Sequence, residues 1–252
     1  MNIGISRAGG DPIKDILSSA KEHGFTGVQM KFGQFKDHLE SPQGFVDDVG
    51  ELSRLARGGL IVYPGGNPSA WEAKIGAVIP FASHVGAGHI CVCAGVGRDD
   101  MSDAKFREAA DALMAAGRAA SENGLVVSLH NHANSIFETA DDIAKLAGML
   151  DPSMCGLTID TGHTAKAGID DPGEVIKRHR EHVFNIHLKD MNADGSFCAL
   201  GTGTVKLDAA IEAAREIGYD RWLIVDEESK HLPTDEAFGI TREFLESRGL
   251  MQ

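Results

Sequence analysis

The chain has 252 residues, 42% of them hydrophobic, which is the size of one (β/α)8 barrel with one sizeable core. Its formal net charge of −13 argues against nucleic acid as the main partner, because phosphate backbones attract basic surfaces. No apolar run approaches the ~18 residues that cross a bilayer and the N-terminus shows no signal-peptide pattern, so we expect a cytoplasmic protein without a membrane partner.

Strand-like runs alternate with helical patterns along the whole chain. The predicted strands are Asn2–Ser6, Thr26–Met30, Leu60–Tyr63, His89–Ala94, Leu125–His130, Cys155–Asp160, Val183–His187 and Arg221–Asp226. The predicted helices lie near Pro12–His23, Phe45–Arg57, Ala70–Gly86, Ser102–Asn123, Ala140–Leu150, Pro172–Arg180, Lys206–Ile217 and Asp235–Arg248. This alternation predicts an α/β fold, a parallel sheet closed into a single (β/α)8 TIM barrel. Because no linker divides the chain, residues 1–252 are expected to form one domain.

Three glycines mark predicted helix ends. Gly24, Gly124 and Gly218 each follow a helical pattern and precede a strand-like run. Glycine is favoured there because it adopts the left-handed conformation that ends many helices without steric cost. These positions therefore predict the boundaries of three helix–strand connections.

Polar side chains stand at the carboxyl ends of the last four predicted strands. Residues two apart share a face of a strand, so each polar set faces inward while the apolar set packs against helices. Such inward groups meet at the end of the barrel that holds the active site in enzymes of this fold. The four that meet there are His130, Asp160, His187 and Asp226.

This set of two imidazoles and two carboxylates predicts a metal site. A single inward histidine is more often a satisfied core residue, but four strand-end groups of consistent parity favour a metal. The mixed nitrogen and oxygen donors suit Mn²⁺, Co²⁺, Zn²⁺ or Fe²⁺ better than Ca²⁺, and Mg²⁺ stays open. His89 is expected to be structural, because it lies at the opposite end of its strand. Glu227 has the wrong parity for the metal unless the strand bulges.

The motifs at the strand ends resemble those of the xylose isomerase-like TIM-barrel superfamily of sugar isomerases, epimerases and dehydratases. The matching segments are HNH (130–132), DTGH (160–163), HLKD (187–190), LGTG (200–203) and WLIVDEE (222–228). The resemblance covers most of the chain, although the first four βα units carry no diagnostic motif. It implies metal ligands at the four positions named above and a sugar or cyclitol as substrate.

The same resemblance implies roles for neighbouring residues. His132 and His163 occupy substrate-contacting or proton-transfer positions, and Lys189 lies beside the site. With Glu228, these residues are the candidates for the catalytic acid and base, and their individual roles stay open. At the end of the second strand, Gln29 and Lys31 are candidate substrate-binding residues, with a solvated lysine as the alternative for Lys31.

Two departures from the superfamily pattern bear on the reaction. Many of its epimerases have glutamates where this chain has His130 and Asp226, and those carboxylates also move the proton. A metal-bound imidazole is a poor base because its lone pair is committed to the ion. Inosose dehydratases offer a closer local match, through the segment HNHANSIFET. We therefore expect proton removal α to a carbonyl, with isomerase or dehydratase chemistry favoured over two-base epimerisation.

Two other function classes remain as alternatives. An endonuclease IV-like DNA-repair nuclease shares this fold, but it needs further ligands and a basic face, which the acidic composition disfavours. A non-catalytic sugar-binding barrel would not need a full set of metal ligands. The sequence leaves a homo-oligomer open.

Overall fold

The eight predicted strands form a closed parallel barrel in the computed structural model, which describes residues 1–252. Its strands are β1 (Asn2–Arg7), β2 (Gly27–Lys31), β3 (Gly59–Val62), β4 (His89–Cys93), β5 (Val126–His130), β6 (Cys155–Asp160), β7 (Val183–Leu188) and β10 (Trp222–Glu227). Each strand pairs with its neighbours in chain order, and β10 closes the barrel against β1. The predicted (β/α)8 barrel is confirmed.

Ten α-helices surround the barrel. They are α1 (Ile13–Glu22), α2 (Pro42–Val49), α3 (Trp71–Gly76), α4 (Ile79–Val85), α5 (Asp103–Ser121), α6 (Ala140–Ala147), α7 (Thr161–Lys166), α8 (Pro172–Arg178), α9 (Leu207–Glu216) and α10 (Thr234–Ser247). The predicted helix Ala70–Gly86 is in fact two helices, because the ring of Pro80 and its missing N–H do not fit the interior of one continuous helix. The predicted helix Phe45–Arg57 continues beyond Val49 only as 3-10 turns. No helix has both the length and the apolar character required to cross a membrane.

The three predicted helix-ending glycines have left-handed backbones. Their φ angles are 78° at Gly24, 72° at Gly124 and 67° at Gly218. A side chain there would be strained, because residues other than glycine rarely adopt such angles. The sequence signal for these three boundaries is therefore confirmed.

A short antiparallel hairpin above the barrel was not predicted. Its strands are β8 (Asp190–Met191) and β9 (Phe197–Cys198). The Asp190 carboxylate accepts hydrogen bonds from the backbone N–H groups of Gly201, Gly203 and Val205, at 2.8–3.1 Å. A Cβ at Gly203 would lie 2.4 Å from Asp190 Oδ1, so the glycine allows the close approach. This contact explains the HLKD and LGTG segments as parts of one loop structure.

The two faces of the barrel strands differ sharply in chemistry. The outward face and the helices bury one apolar cluster of 59 residues. The interior holds few apolar side chains: a small cluster of Ile61, Cys91 and Cys93, and Ile224 two residues before Asp226. Many of the other inward side chains are polar and buried, including Ser6, Gln29, His89, Ser128, Thr158 and Asn185. The predicted parity is confirmed, because the residues between these polar positions lie in the outer core.

Candidate metal centre

The four predicted ligand residues lie together at the carboxyl-terminal mouth of the barrel. They are His130 on β5, Asp160 on β6, His187 on β7 and Asp226 on β10, and all four are buried. One ligand atom from each residue lies within 4.8 Å of those of the other three. Ligand atoms around an ion at about 2.0–2.2 Å lie at most about 4.4 Å apart. A small inward movement would therefore bring the four groups to coordination distance.

The hydrogen bonding of the two imidazoles fits a cation. His130 Nε2 lies 3.2 Å from Asp160 Oδ2, and His187 Nδ1 lies 3.6 Å from the same oxygen. The Nδ1 atoms of His187 and His130 are both buried and have no hydrogen-bond partner. A buried polar atom without a partner is costly. A cation in this cluster would give His187 Nδ1 the partner that it lacks.

Two lysines also reach the cluster. Lys189 Nζ lies 2.6 Å from Asp226 Oδ2, 3.3 Å from Glu228 Oε2 and 3.7 Å from Asp160 Oδ2. Lys31 Nζ lies 2.8 Å from Asp226 Oδ1 and 2.8 Å from Glu228 Oε1. Three carboxylates thus face two ammonium groups. The remaining negative charge favours a cation at the mouth of the barrel.

The proximity of these charges shifts the pKa values of the groups in opposite directions. Burial raises the pKa of the Asp160 and Asp226 carboxyls, but the surrounding positive groups, with Lys189 the strongest, together outweigh burial and hold both pKa values well below their usual range. Burial likewise lowers the pKa of Lys31 and Lys189, but the surrounding carboxylates, with Asp226 the strongest, together outweigh burial, and both pKa values lie above the ordinary one. Both carboxylates and both ammonium groups are therefore charged at neutral pH.

The rings of His132 and His163 pack against each other beside the cluster, with centroids 3.9 Å apart and planes tilted by 34°. The backbone of Ala133 contacts both rings, through its C=O and its N–H. His132 Nδ1 lies 2.8 Å from the Ala133 carbonyl oxygen, so this nitrogen donates its proton there. The Ala133 N–H donates to His163 Nδ1 at 3.2 Å, so that nitrogen carries no proton. The two neutral rings are therefore opposite tautomers. His132 has a free lone pair at Nε2, and His163 carries its proton at Nε2, which lies 3.5 Å from the Lys189 ammonium without accepting from it.

Burial lowers the pKa of both histidines. Desolvation is the largest cause, and the adjacent His130 lowers both values further. The pKa of His163 lies well below its ordinary value. The neutral rings required by the tautomer assignment are thus the forms present at neutral pH.

A cavity of about 690 Å³ opens above the cluster. Its walls include His132, His163, Glu228 and, on the hairpin, Phe197. The four candidate ligands do not line the cavity and lie beneath it. The Phe197 ring packs edge-on against His163 with centroids 5.1 Å apart, and Lys189 Nζ lies 4.6 Å from its centroid. The cavity floor therefore combines acid–base groups with an apolar cover over the buried charges.

The two candidate substrate-binding residues on β2 contact the ligand cluster but do not line the cavity. Gln29 is fully buried and does not reach the cavity, because its amide contacts His187 and His89 inside the barrel. Lys31 is held by Asp226 and Glu228, and it borders a separate depression of about 380 Å³. Neither residue lines the main cavity, in contrast to the expectation from sequence.

A buried ion pair between Arg7 and Glu227 near the site was not predicted from the sequence. Arg7 on β1 lies 3.2 Å from Glu227 Oε1, and both side chains are buried. The guanidinium also donates to the carbonyl oxygens of Ser229 and Leu232, at 3.1 and 2.6 Å. Arg7 thus holds the loop after β10 that forms one wall of the cavity. Glu227 points away from the ligands, as its parity predicts.

Residues 17–248 match the family described as xylose isomerase-like TIM barrel. The inosose dehydratase of Clostridium beijerinckii is 27% identical over 150 residues, which are 52% of this chain and 50% of that protein. The chain thus spans about half the length of the curated relatives it matches.

Two solved structures show the same fold over nearly the whole chain. The probable 3-DHS dehydratase AsbF from Bacillus anthracis has a TM-score of 0.81 at 18% identity, covering 98% of this chain and 100% of that one. The IOLI protein, solved with a bound zinc atom, has a TM-score of 0.80 at 15% identity, covering 98% and 97%. At such identities the likeness concerns the fold.

Proposed function

Because the chain belongs to the xylose isomerase-like TIM-barrel family, we propose that it is a divalent-metal-dependent enzyme that removes a proton α to a carbonyl. The substrate would be a ketose, keto-sugar or keto-cyclitol, and the outcome isomerisation or, as in an inosose dehydratase, loss of water. All residues that this proposal uses lie on one barrel, so we infer that residues 1–252 act as a single catalytic domain.

The observation that carries the proposal is the buried set of four ligand groups directly beneath a cavity with acid–base side chains. His130, Asp160, His187 and Asp226 would hold the ion. When bound, a divalent ion would polarise the substrate carbonyl and stabilise the negative charge that develops on its oxygen. The IOLI protein, which shares this fold, was solved with a bound zinc atom, and this supports a divalent metal in the present chain without fixing its identity.

The opposite tautomers of His132 and His163 support distinct roles in proton transfer. His132 is the best candidate for the base, because its Nδ1–H is engaged by the Ala133 carbonyl and its Nε2 lone pair is free. His163 presents Nε2–H instead, so it can donate a hydrogen bond to a substrate oxygen but cannot accept the proton there. The backbone N–H and C=O of one residue, Ala133, thus support a base and a donor side by side.

The charged residues at and beneath the cavity floor support the elimination step. Lys189 lies buried beside Glu228, remains an ammonium group and would donate to an oxygen that leaves as hydroxide. Glu228 lines the cavity and lies between Lys31 and Lys189, so its carboxylate is the second candidate base. Phe197 covers Lys189 and His163 and would exclude water from the departing group.

The histidine at position 130 favours dehydration or isomerisation over two-base epimerisation. Two-base epimerisation needs a donor and an acceptor on opposite faces of the carbanion, and His130 stands where many epimerases have a carboxylate. The inosose dehydratase of Clostridium beijerinckii, 27% identical over half of the chain, supports the dehydratase outcome.

Metal analysis followed by proton exchange tests the proposal. The purified protein would be loaded with Mn²⁺ or Co²⁺ and incubated in deuterated water with ketohexoses, 3-keto-sugars and inosose. We expect one bound ion per chain, deuterium next to the carbonyl of at least one substrate, and a dehydrated product from the preferred one. A protein that binds no metal, or binds it without any exchange, would contradict the proposal.

Two variants connect the reaction to the assigned base. His132→Gln should abolish deuterium exchange and retain the metal, because His132 is not one of the four ligand groups. His84→Gln changes an exposed histidine on α4 and serves as the matched control with full exchange. If His132→Gln exchanges as fast as the control, Glu228 becomes the base to test next.

A further inference from the structure

A row of hydrogen bonds runs through the barrel interior beneath the candidate ligands. Gln29 Oε1 lies 2.7 Å from His187 Nε2, and Gln29 Nε2 lies 3.4 Å from His89 Nδ1. His89 Nε2 lies 2.7 Å from Ser128 Oγ, which in turn contacts Thr158 Oγ1. All five side chains are buried. The row crosses the barrel and links β2, β4, β5, β6 and β7.

With the Gln29 amide oriented as in this structure, the chemistry of each atom gives one direction of donation along this row. The Gln29 amide oxygen can only accept, so His187 Nε2 must carry a proton. The Gln29 amide nitrogen donates to His89 Nδ1, which leaves the His89 proton on Nε2. That proton is donated to Ser128 Oγ, whose own hydroxyl hydrogen is free to reach Thr158. No donor faces another donor anywhere along the row.

Asn185 provides a second acceptor for the same proton. Its Nδ2 atom lies 3.0 Å from His187 Nε2, while its Oδ1 atom is buried without a partner. The oxygen and nitrogen of a side-chain amide exchange places on a 180° turn with little change in shape. That turn gives Oδ1 the N–H of His187 and removes the contact between two donors. Both amides then hold the proton on Nε2.

We propose that Gln29, supported by His89, is a positioning residue that fixes His187 in the tautomer able to bind a divalent cation through Nδ1. With the proton on Nε2, the Nδ1 lone pair is free, and this atom is the one that faces Asp160 and lacks a partner. Groups that orient a ligating histidine contribute about 10–100-fold to metal affinity. The inference rests on the proposed metal-dependent function and explains why Gln29 lies outside the cavity.

Titration with Co²⁺ tests the role of Gln29, since the visible absorption of the bound ion reports both affinity and coordination without any turnover. Gln29→Met keeps the length of the side chain but cannot accept the hydrogen bond from His187 Nε2–H. We therefore expect the affinity for Co²⁺ to fall about 10–100-fold. Gln29→Glu restores an acceptor for Nε2–H and should bind within a few-fold of the wild type. Thr241→Val removes a buried hydroxyl without a partner on α10 and should leave affinity unchanged.

The outcomes separate the two proposals. Wild-type protein that binds no Co²⁺ overturns the proposed function and this inference with it. If the wild type binds and Gln29→Met binds within twofold, the inference fails and the function stands. Equal losses in Gln29→Met and Gln29→Glu would indicate a packing role and also overturn it. If Gln29→Met does not fold, His89→Phe removes the next member of the row instead. We expect a several-fold loss of Co²⁺ affinity in that variant. Unchanged affinity would again overturn the inference.

Discussion

The two faces of the same eight strands do different work in this molecule. The outward face packs 59 buried apolar residues against the helices, and burial of apolar surface is the dominant favourable term in folding. The inward face carries carboxylates, ammonium groups, imidazoles and amides that cost free energy to bury unless they find partners. Because side chains alternate along a strand, one backbone serves both purposes. Stability and chemistry should therefore respond to different substitutions.

The largest effect is expected on the inward face. Asp160→Ala should lose the metal and lower activity on the order of 10⁴-fold, about 5.4 kcal/mol of transition-state stabilisation, because it removes a ligand with the charge that holds the ion. His187→Ala should also lose the metal. The far-ultraviolet circular dichroism of both variants should match the wild type, since the outer core is untouched.

The matched control is Asp47→Ala, which removes an exposed carboxylate on α2. It should keep both metal and activity. Metal content by elemental analysis, measured beside the dichroism, checks the contrast. Stoichiometric metal in Asp160→Ala and His187→Ala together would show that this cluster is not the binding site.

The outward face was predictable from sequence because apolar periodicity is a local property. All eight strands were located to within one or two residues, and the three helix-ending glycines were identified. Two local details were not. The split of Ala70–Gly86 depends on the ring of Pro80 inside an otherwise helical pattern, and α7 begins directly at the end of β6, where Asp160 Oδ1 accepts the His163 N–H.

The inward face was predictable in its residues but not in their partners. Parity alone brought the four candidate ligands together, since a closed barrel leaves an inward strand-end group nowhere else to point. The contacts of Gln29 and Lys31 depend on which strand lies across the barrel, and no local pattern encodes that distance. The opposite tautomers of His132 and His163 depend on the directions in which the backbone N–H and C=O of Ala133 point.

The next largest effect should appear on the outward face, in stability alone. Phe238→Ala removes a fully buried ring on α10 that packs edge-on against Phe25 with centroids 5.7 Å apart. We expect a loss of about 3–4 kcal/mol in the free energy of unfolding, from lost burial and the cavity left behind. Urea denaturation measures it. Met101→Ala, at an exposed position, should change stability by less than about 0.5 kcal/mol.

Metal affinity and specific activity per folded molecule should be unchanged in Phe238→Ala. A variant that stays folded but loses its metal would break the separation between the two faces. The outer core would then act on the ligand geometry through the strands.

A smaller effect concerns the buried, neutral His89 in the barrel interior, which should make the free energy of unfolding depend on pH. Burial, with His187 and Arg221 nearby, lowers the pKa of His89 to about 3. In the unfolded chain an ordinary histidine titrates near pH 6.5. Between these two values the unfolded state binds one more proton, so acid stabilises it and the free energy of unfolding falls as pH decreases.

This contribution of His89 amounts to about 2 kcal/mol between pH 6.5 and pH 5. It is fully present above pH 6.5 and is lost progressively towards pH 3. His89→Gln keeps hydrogen-bonding capacity without a titrating ring. From pH 6.5 to pH 5, its free energy of unfolding should therefore fall by about 2 kcal/mol less than that of the wild type. Equal slopes in urea titrations of the two proteins at pH 6.5 and pH 5 would contradict the buried neutral ring.

The smallest effect concerns the helix that follows the loop from His130 to Glu138. Thr139 accepts the Asp142 N–H at 3.2 Å, and the Asp142 carboxylate accepts the Thr139 N–H at 2.9 Å, which together cap the N-terminus of α6. Thr139→Ala should cost about 1 kcal/mol of stability, because one cap acceptor is lost. Thr139→Ser keeps the hydroxyl and should retain most of that stability.

The Co²⁺ spectrum and affinity should be identical in both variants if the outer layer and the ligands are separable. A weaker Co²⁺ site in Thr139→Ala alone would show that this cap also holds the loop that carries His132, and that the two faces are coupled through the β5–α6 connection.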